Sequence, residues 1–254
     1  MPHRNLLFIS MLGEPSLYKV EDYQSLCPSG LEKDWIHDWY GDLAYRYGFD
    51  MEAVDVIHGD TLPDPIDSDT VILGGTIHLV LEDKPWLKTI LNWLRKYRKL
   101  KRPLLGICGG HQMIAYNFFQ GNQLIPRENG HMFGTFPVQL TEAGKRSDLF
   151  QGMSDQSEFH FANSYHIVPH HQADLTVLAT TKDSPAIAVD YGDHWYATQF
   201  HPESHKETWA CNAKSDTRMD MSHYKTRHDG PQLLENFIKL ASIQMEKADN
   251  HVKT

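Results

Sequence analysis

Leu104-Leu105-Gly106-Ile107-Cys108-Gly109-Gly110-His111-Gln112 is the stretch on which the reading of this chain turns. Its apolar first half, bounded upstream by Arg102-Pro103, has the length of a buried strand, and the helical pattern from Gln112 to Phe119 follows it. Similar junctions recur upstream. Leu6 to Met11 is predicted as a first strand, residues 31 to 47 as an amphipathic helix with Trp35, Trp39, Leu43 and Tyr47 along it, and Ala53 to Ile57 as a second strand. Thr70 to Leu73 gives a third strand ending at Gly74-Gly75, and Pro85 opens a helix carrying Trp86, Ile90, Leu94 and Tyr97 on one side. Strands alternating with helices predict crossover units and a parallel sheet. The stretch from Gly13 to Gly30 has no clear period and reads as an irregular loop.

Beyond Gly121 the pattern shortens into strands at 136–140, 159–162, 175–179, 186–190 and 195–200, so the sheet is expected to be mixed. A last helix, Pro231 to about Lys247, places Leu233, Leu234, Phe237, Ile238 and Ala241 on one side. The polar, histidine-rich segment between Ser204 and Gly230 reads as an insertion or lid within a single domain covering 1–254.

Composition narrows the function. With 11 Phe, 11 Tyr and 6 Trp there is ample core material, and no stretch approaches the roughly 20 apolar residues of a membrane span. A formal charge of −9, with basic residues concentrated only from Arg95 to Arg102, argues against a nucleic-acid surface. No export signal is visible, and three cysteines (Cys27, Cys108, Cys211) form no paired framework, which favours a reducing compartment and a cytoplasmic location. His166, His170 and His171 lie close together without a matching carboxylate or cysteine set, so no metal is expected. There is no Walker loop and no dinucleotide fingerprint, and no cofactor is expected.

Cys108 sits where a strand turns into a helix. A sharp turn thrusts the sulfur out of the sheet, and the helix amino terminus favours a thiolate. Flanking glycines keep side chains off the elbow and leave the Gly109 N–H facing a developing oxyanion. A cysteine in such a strand can equally be a small buried thiol. The second element is Gln199-Phe200-His201-Pro202-Glu203, at the end of a late strand. Two residues on in extended chain, Glu203 returns to the side of His201, where its carboxylate can fix the imidazole tautomer.

Gly-Ile-Cys-Gly-Gly-His-Gln at 106–112 resembles the Gly-x-Cys-x-Gly-x-Gln nucleophile motif of class I glutamine amidotransferases, and Phe-His-Pro-Glu at 200–203 resembles their His-x-Glu segment, in the same order. The resemblance implies a flavodoxin-like three-layer α/β fold, a Cys108-His201-Glu203 triad and an oxyanion hole from Gly75 and Gly109. It also implies substrate contacts from Gln112, Asn163, Ser164 and Tyr165, the last two chiefly through backbone groups. Glutamine or another γ-glutamyl small molecule is the implied substrate, and a separate synthase subunit is a possible acceptor of the ammonia. Asn163-Ser164-Tyr165-His166 also resembles the Asn-Ser-x-His segment of γ-glutamyl-peptide hydrolases. Two departures stand out: Gly109 replaces the larger residue usual after the nucleophile, and Thr76-Ile77-His78 stands where many members have Pro-x-Ser.

Overall fold

Alternate residues of one short strand face opposite ways, and in the computed structural model, which describes residues 3–252, that alternation builds the molecule. The termini of the expected 1–254 domain, residues 1–2 and 253–254, lie outside the described residues. Strands β1 (Arg4–Ser10), β2 (Phe49–Asp55), β3 (Thr70–Leu73) and β4 (Leu104–Ile107) are linked through helices α1 (Glu32–Arg46) and α2 (Pro85–Arg98). Helix α3 (Gly109–Phe118) leads to β5 (Gln123–Pro126), β6 (Met132–Pro137) and β7 (Gln139–Leu140). After α4 (Glu142–Arg146) come β8 (Glu158–Asn163), β9 (Tyr165–Val168), β10 (Thr176–Thr181), β11 (Ser184–Asp190) and β12 (Trp195–Thr198), then α5 (Lys206–Asn212) and α6 (Gly230–Val252).

The central sheet has eight strands in the order β2-β1-β3-β4-β12-β11-β10-β7. The first five run parallel and the last three pair antiparallel, so the sheet is mixed as expected. In β1, Leu6 and Phe8 pack with Trp35 and Tyr40 of α1 and Leu233 and Phe237 of α6. Leu7 and Ile9 face the other way, onto Ile90 and Leu94 of α2 and Met113 and Ile114 of α3. Two buried faces explain why the parallel strands read as unbroken apolar runs. The result is a three-layer, flavodoxin-like α/β fold. No helix is long and apolar enough to cross a membrane among the described residues.

Several expectations needed adjustment. Pro137 cannot donate to a ladder, and the strand expected at 136–140 divides there: β6 pairs with β8 in a separate ribbon while β7 closes the edge of the main sheet. The strand expected at 159–162 therefore lies outside the central sheet, and β5 with β9, which alternation did not reveal, forms a second ribbon. Helix α3 starts at Gly109 instead of Gln112, directly against Cys108. On α1 the buried face runs through Trp35, Ile36, Tyr40, Leu43 and Ala44, and Trp39 is only half-buried, because a strict spacing of four drifts around a helix of 3.6 residues per turn. The 204–230 segment contains α5 and a short turn at Met221–His223.

Candidate functional site

Parallel strands end on one edge, and the chain brings Ser10, Gly74-Gly75, Cys108 and His201 to that edge from β1, β3, β4 and β12. β1 and β3 are adjacent although β2 lies between them in sequence, which makes this the crevice where open α/β sheets place ligands.

Cys108 has φ +49° and ψ −103°, a conformation that costs an ordinary residue of order 1–3 kcal/mol and persists only where the surroundings impose it. Here its N–H donates to the Thr198 carbonyl at 2.7 Å, and its own carbonyl accepts the Gln112 N–H at 3.0 Å. The bend is thus clamped between β12 and the first turn of α3. Gly106 and Gly110 face one another across it: a Cβ on Gly106 would lie 3.0 Å from the Gly110 carbonyl carbon, and one on Gly110 would lie 2.6 Å from the Leu73 carbonyl oxygen. The unusual Gly109 has a local reason too. A Cβ there would meet the Thr76 methyl at 2.4 Å, so Thr76 occupies the room that a larger residue would need.

His201 Nδ1 lies 2.7 Å from Glu203 Oε1. A carboxylate accepts, so Nδ1 carries the proton and Nε2 is left free to take or hold another. Nε2 is buried with no nitrogen or oxygen partner among the described residues, as is Glu203 Oε2. The imidazole faces Gly75, whose hypothetical Cβ would be 3.0 Å from His201 Cε1 and 3.5 Å from Cys108 Cβ. Glycine at 75 is what lets the two side chains close on the same point. Burial disfavours the imidazolium, yet the negative charges of Glu203 and of Cys108 as thiolate outweigh it and hold the pKa of His201 well above the ordinary histidine value. Neither the Gly75 nor the Gly109 N–H has a protein acceptor among the described residues.

A supporting layer keeps the histidine in place. Trp209 of α5 sets its ring edge-on to His201 at 4.8 Å, and its indole N–H reaches both His160 Nδ1 (2.9 Å) and Ser204 Oγ (3.1 Å). Ser204 in turn donates to the His201 carbonyl, and Tyr40 Oη donates to that of Glu203. Burial pushes the pKa of His160 down to about 3, so this ring is neutral at physiological pH.

Gln112, Asn163, Ser164 and Tyr165 line one cavity of about 330 Å³ together with Cys108, His201 and Glu203. Gln112 Nε2 is engaged with the Tyr165 carbonyl and Gln199 Oε1, and Asn163 Nδ2 donates to the same Tyr165 carbonyl. The Ser164 carbonyl accepts from Arg127 N–H. The Ser164 and Tyr165 carbonyls thus serve the loop itself. Asn163 Oδ1, by contrast, is buried and has no partner among the described residues.

Several lining residues escaped the sequence. Glu32, the first residue of α1, is buried, accepts the Ser10 hydroxyl at 2.8 Å and lines the same cavity. Burial, with the charge of Glu203 adding to it, pushes its carboxyl up to about 8. In sequence it is an ordinary first-turn acid. Phe133, Trp209, Asp216 and Arg218 also line the cavity, as does Thr76 of the departing Thr76-Ile77-His78 stretch; the sequence signal toward Trp209, Asp216 and Arg218 was the unusual polar length after Glu203. No group of three or more His, Cys, Asp or Glu able to hold a metal occurs among the described residues, and His166 is instead bonded to Ser184 at 3.0 Å.

Fold and site together define a flavodoxin-like α/β protein with a strained cysteine elbow facing a histidine–carboxylate pair. The chain belongs to the class-I glutamine amidotransferase family, whose model matches residues 50–215. It is 30% identical over 159 residues to the imidazole glycerol phosphate synthase subunit HisH of Thermococcus kodakarensis, covering 55% of this chain and 67% of that protein. To γ-glutamyl peptidase 3 of Arabidopsis thaliana it is 24% identical over 198 residues, covering 73% and 76%. A crystal structure of a glutamine amidotransferase from Thermotoga maritima superposes with a TM-score of 0.73 at 18% identity, over 94% of this chain and 98% of that one, a likeness of fold. Family membership supports amide-hydrolysing, glutamine-dependent amidotransferase chemistry in general.

Proposed function

We propose that this protein hydrolyses the side-chain amide of glutamine through a Cys108–His201–Glu203 triad and a γ-glutamyl thioester. The observation that carries the reading is the placement of the His201 ring: buried, with Nδ1 fixed by Glu203 and the ring closing with Cys108 on the same point at Gly75. The Cys108 thiolate attacks the γ-carbonyl carbon and a C–S bond forms. The oxyanion is held by the Gly75 and Gly109 N–H groups. His201 Nε2 gives its proton to the departing nitrogen, the C–N bond breaks and ammonia leaves. Water then attacks the thioester, Nε2 takes its proton, and the C–S bond breaks to release glutamate and the thiolate. Glu203 holds the ring and offsets its positive charge.

A separate synthase subunit is the proposed acceptor of the ammonia, supported by the likeness to HisH, by name a synthase subunit. A second reading, a self-sufficient γ-glutamyl peptide hydrolase, draws on the likeness to γ-glutamyl peptidase 3 and on the contribution of the 204–230 segment to the cavity wall. Comparing kcat/KM of the isolated protein for glutamine and for a panel of γ-glutamyl dipeptides separates them. Slow glutamine hydrolysis, with dipeptides no better, is the expected outcome. A dipeptide preference above about a hundredfold, roughly 2.7 kcal/mol of added transition-state binding, would overturn it. A protein acting only as a binding module would leave Cys108 unmodified by a glutamine-analogue electrophile.

A further inference from the structure

The segment after Glu203 brings an ion pair to the wall of the cavity. Arg218 forks onto Asp216, with Nε 2.7 Å from Oδ1 and Nη2 2.6 Å from Oδ2, and Arg218 Nη1 lies 3.0 Å from His131 Nε2. A guanidinium can only donate, so His131 Nε2 accepts and the ring proton sits on Nδ1. Nδ1–H therefore donates to Ser164 Oγ at 2.5 Å, which leaves the Ser164 hydroxyl proton for another acceptor. The His131 ring stacks on Phe133, and the guanidinium lies 5.6 Å over that same Phe133 ring.

This arrangement is held from three sides. Asp216 and His131 use three of the five guanidinium N–H bonds, and the remaining two have no partner among the described residues. Arg218 also lowers the carboxyl pKa of Asp216, so both members stay charged. A lone carboxylate would meet Arg218 with its charge already half answered. A group carrying a carboxylate and an ammonium on one carbon matches both members of the pair, and the unpartnered Asn163 Oδ1 in the same cavity is a further acceptor for an ammonium. The amino acid released from a γ-glutamyl peptide lacks that ammonium while its nitrogen is still an amide.

We propose that Arg218 and Asp216 clamp the α-amino-acid end of the substrate, Arg218 and the Ser164 hydroxyl taking the α-carboxylate and Asp216 with Asn163 Oδ1 taking the α-ammonium. The assignment rests on the reading of the cavity as a γ-glutamyl amide site. It gives the inserted segment a role: it completes the ligand-binding wall that the flavodoxin-like core leaves open.

The test compares L-glutamine with two truncated amides, 4-aminobutanamide, which lacks the α-carboxylate, and glutaric acid monoamide, which lacks the α-ammonium. Turnover is followed in the wild-type chain and in Arg218→Met, Arg218→Lys and Asp216→Asn variants, and calorimetric binding in each of these carrying Cys108→Ala. Arg218→Met is expected to weaken glutamine about 10- to 100-fold, the scale of a lost hydrogen bond to a charged group, and to change 4-aminobutanamide less than about threefold. Arg218→Lys should fall between, since it keeps the charge and loses the fork. Asp216→Asn should weaken glutamine more than glutaric acid monoamide. Equal losses for all three ligands would mean a general distortion and overturn the clamp. Binding separates this proposal from the one beneath it: Arg218-dependent glutamine binding without wild-type turnover would defeat the catalytic reading and leave the clamp standing. No glutamine binding in any Cys108→Ala protein would end both.

Discussion

The elbow at Cys108 and the wall at Asp216–Arg218 face one cavity but are built on opposite plans. At the elbow almost everything is backbone: two main-chain hydrogen bonds hold Cys108 at φ +49°, and glycines at 106, 109 and 110 admit the close approaches. The wall is made of side-chain contacts, an ion pair and a histidine relay, on a segment in which the Arg218 side chain is 56% exposed. A reacting atom placed by sheet topology cannot drift without unfolding the sheet. A recognition group placed by side chains can be exchanged without touching the core. With the roles proposed above, the difference teaches that chemistry and selectivity would be separable in this molecule.

The sharpest way to break that contrast is at the sulfur. Cys108→Ala is expected to cost at least about a thousandfold in glutamine hydrolysis, as removal of a nucleophile does, with the circular dichroism spectrum and melting behaviour close to wild type. Cys27→Ala and Cys211→Ala, both buried thiols that do not line the cavity and are engaged with Ser29 and Ser25, should leave turnover nearly unchanged. Retained activity in the Cys108 variant would remove the mechanism.

Next in size is the order of effects behind the nucleophile. His201→Ala should approach the loss seen for Cys108→Ala. Glu203→Gln should cost less, because an amide can still accept from Nδ1 and orient the ring, although it no longer offsets the imidazolium charge. Carboxylate charge raises the pKa of His201, so the Glu203→Gln variant should also show a lower apparent histidine pKa in its pH–rate profile. A silent Glu203→Gln across the pH range would make Glu203 structural and leave a dyad.

The smallest effect probes the buried carboxyl that neither region uses. Glu32 holds a proton to about pH 8 in the folded chain but releases it near the ordinary value of 4.5 when unfolded. The folded state therefore binds more protons across that window, and this group's contribution to stability falls as pH rises through it. Glu32→Gln should flatten that decline. Thermal melts at pH 5 and pH 8 are expected to show the variant gaining on wild type at the higher pH by on the order of 1 kcal/mol, about 2–4 °C. An equal offset at both pH values would mean that Glu32 ionises normally.

Much of this protein was legible in one dimension because its signals are local. Thr70–Leu73 was delimited by its apolar run and the glycines that follow, and the helix from Pro85 by its first-turn proline, since both limits depend on neighbours in the chain. The motifs around Cys108 and His201 were legible for the same reason: an elbow needs its glycines within a few residues, and His201 and Glu203 are near neighbours in the chain, although they meet across a turn at Pro202-Glu203 and not along the extended chain expected. Pairing partners were not. Nothing in Phe159–Ala162 distinguishes a central strand from a ribbon with β6, because alternation reports a buried face without saying which strand lies beside it. Glu32 and Arg218 were equally silent. A first-turn glutamate and an arginine in a polar segment look like solvated charges until the fold buries one beside Glu203 and sets the other against His131 and Phe133. Sequence by itself determined the layers, the parallel half of the sheet and the residues of the proposed triad, all properties of short windows. Only the tertiary structure decided what surrounds them, because burial and charge pairing belong to contacts between segments far apart in the chain.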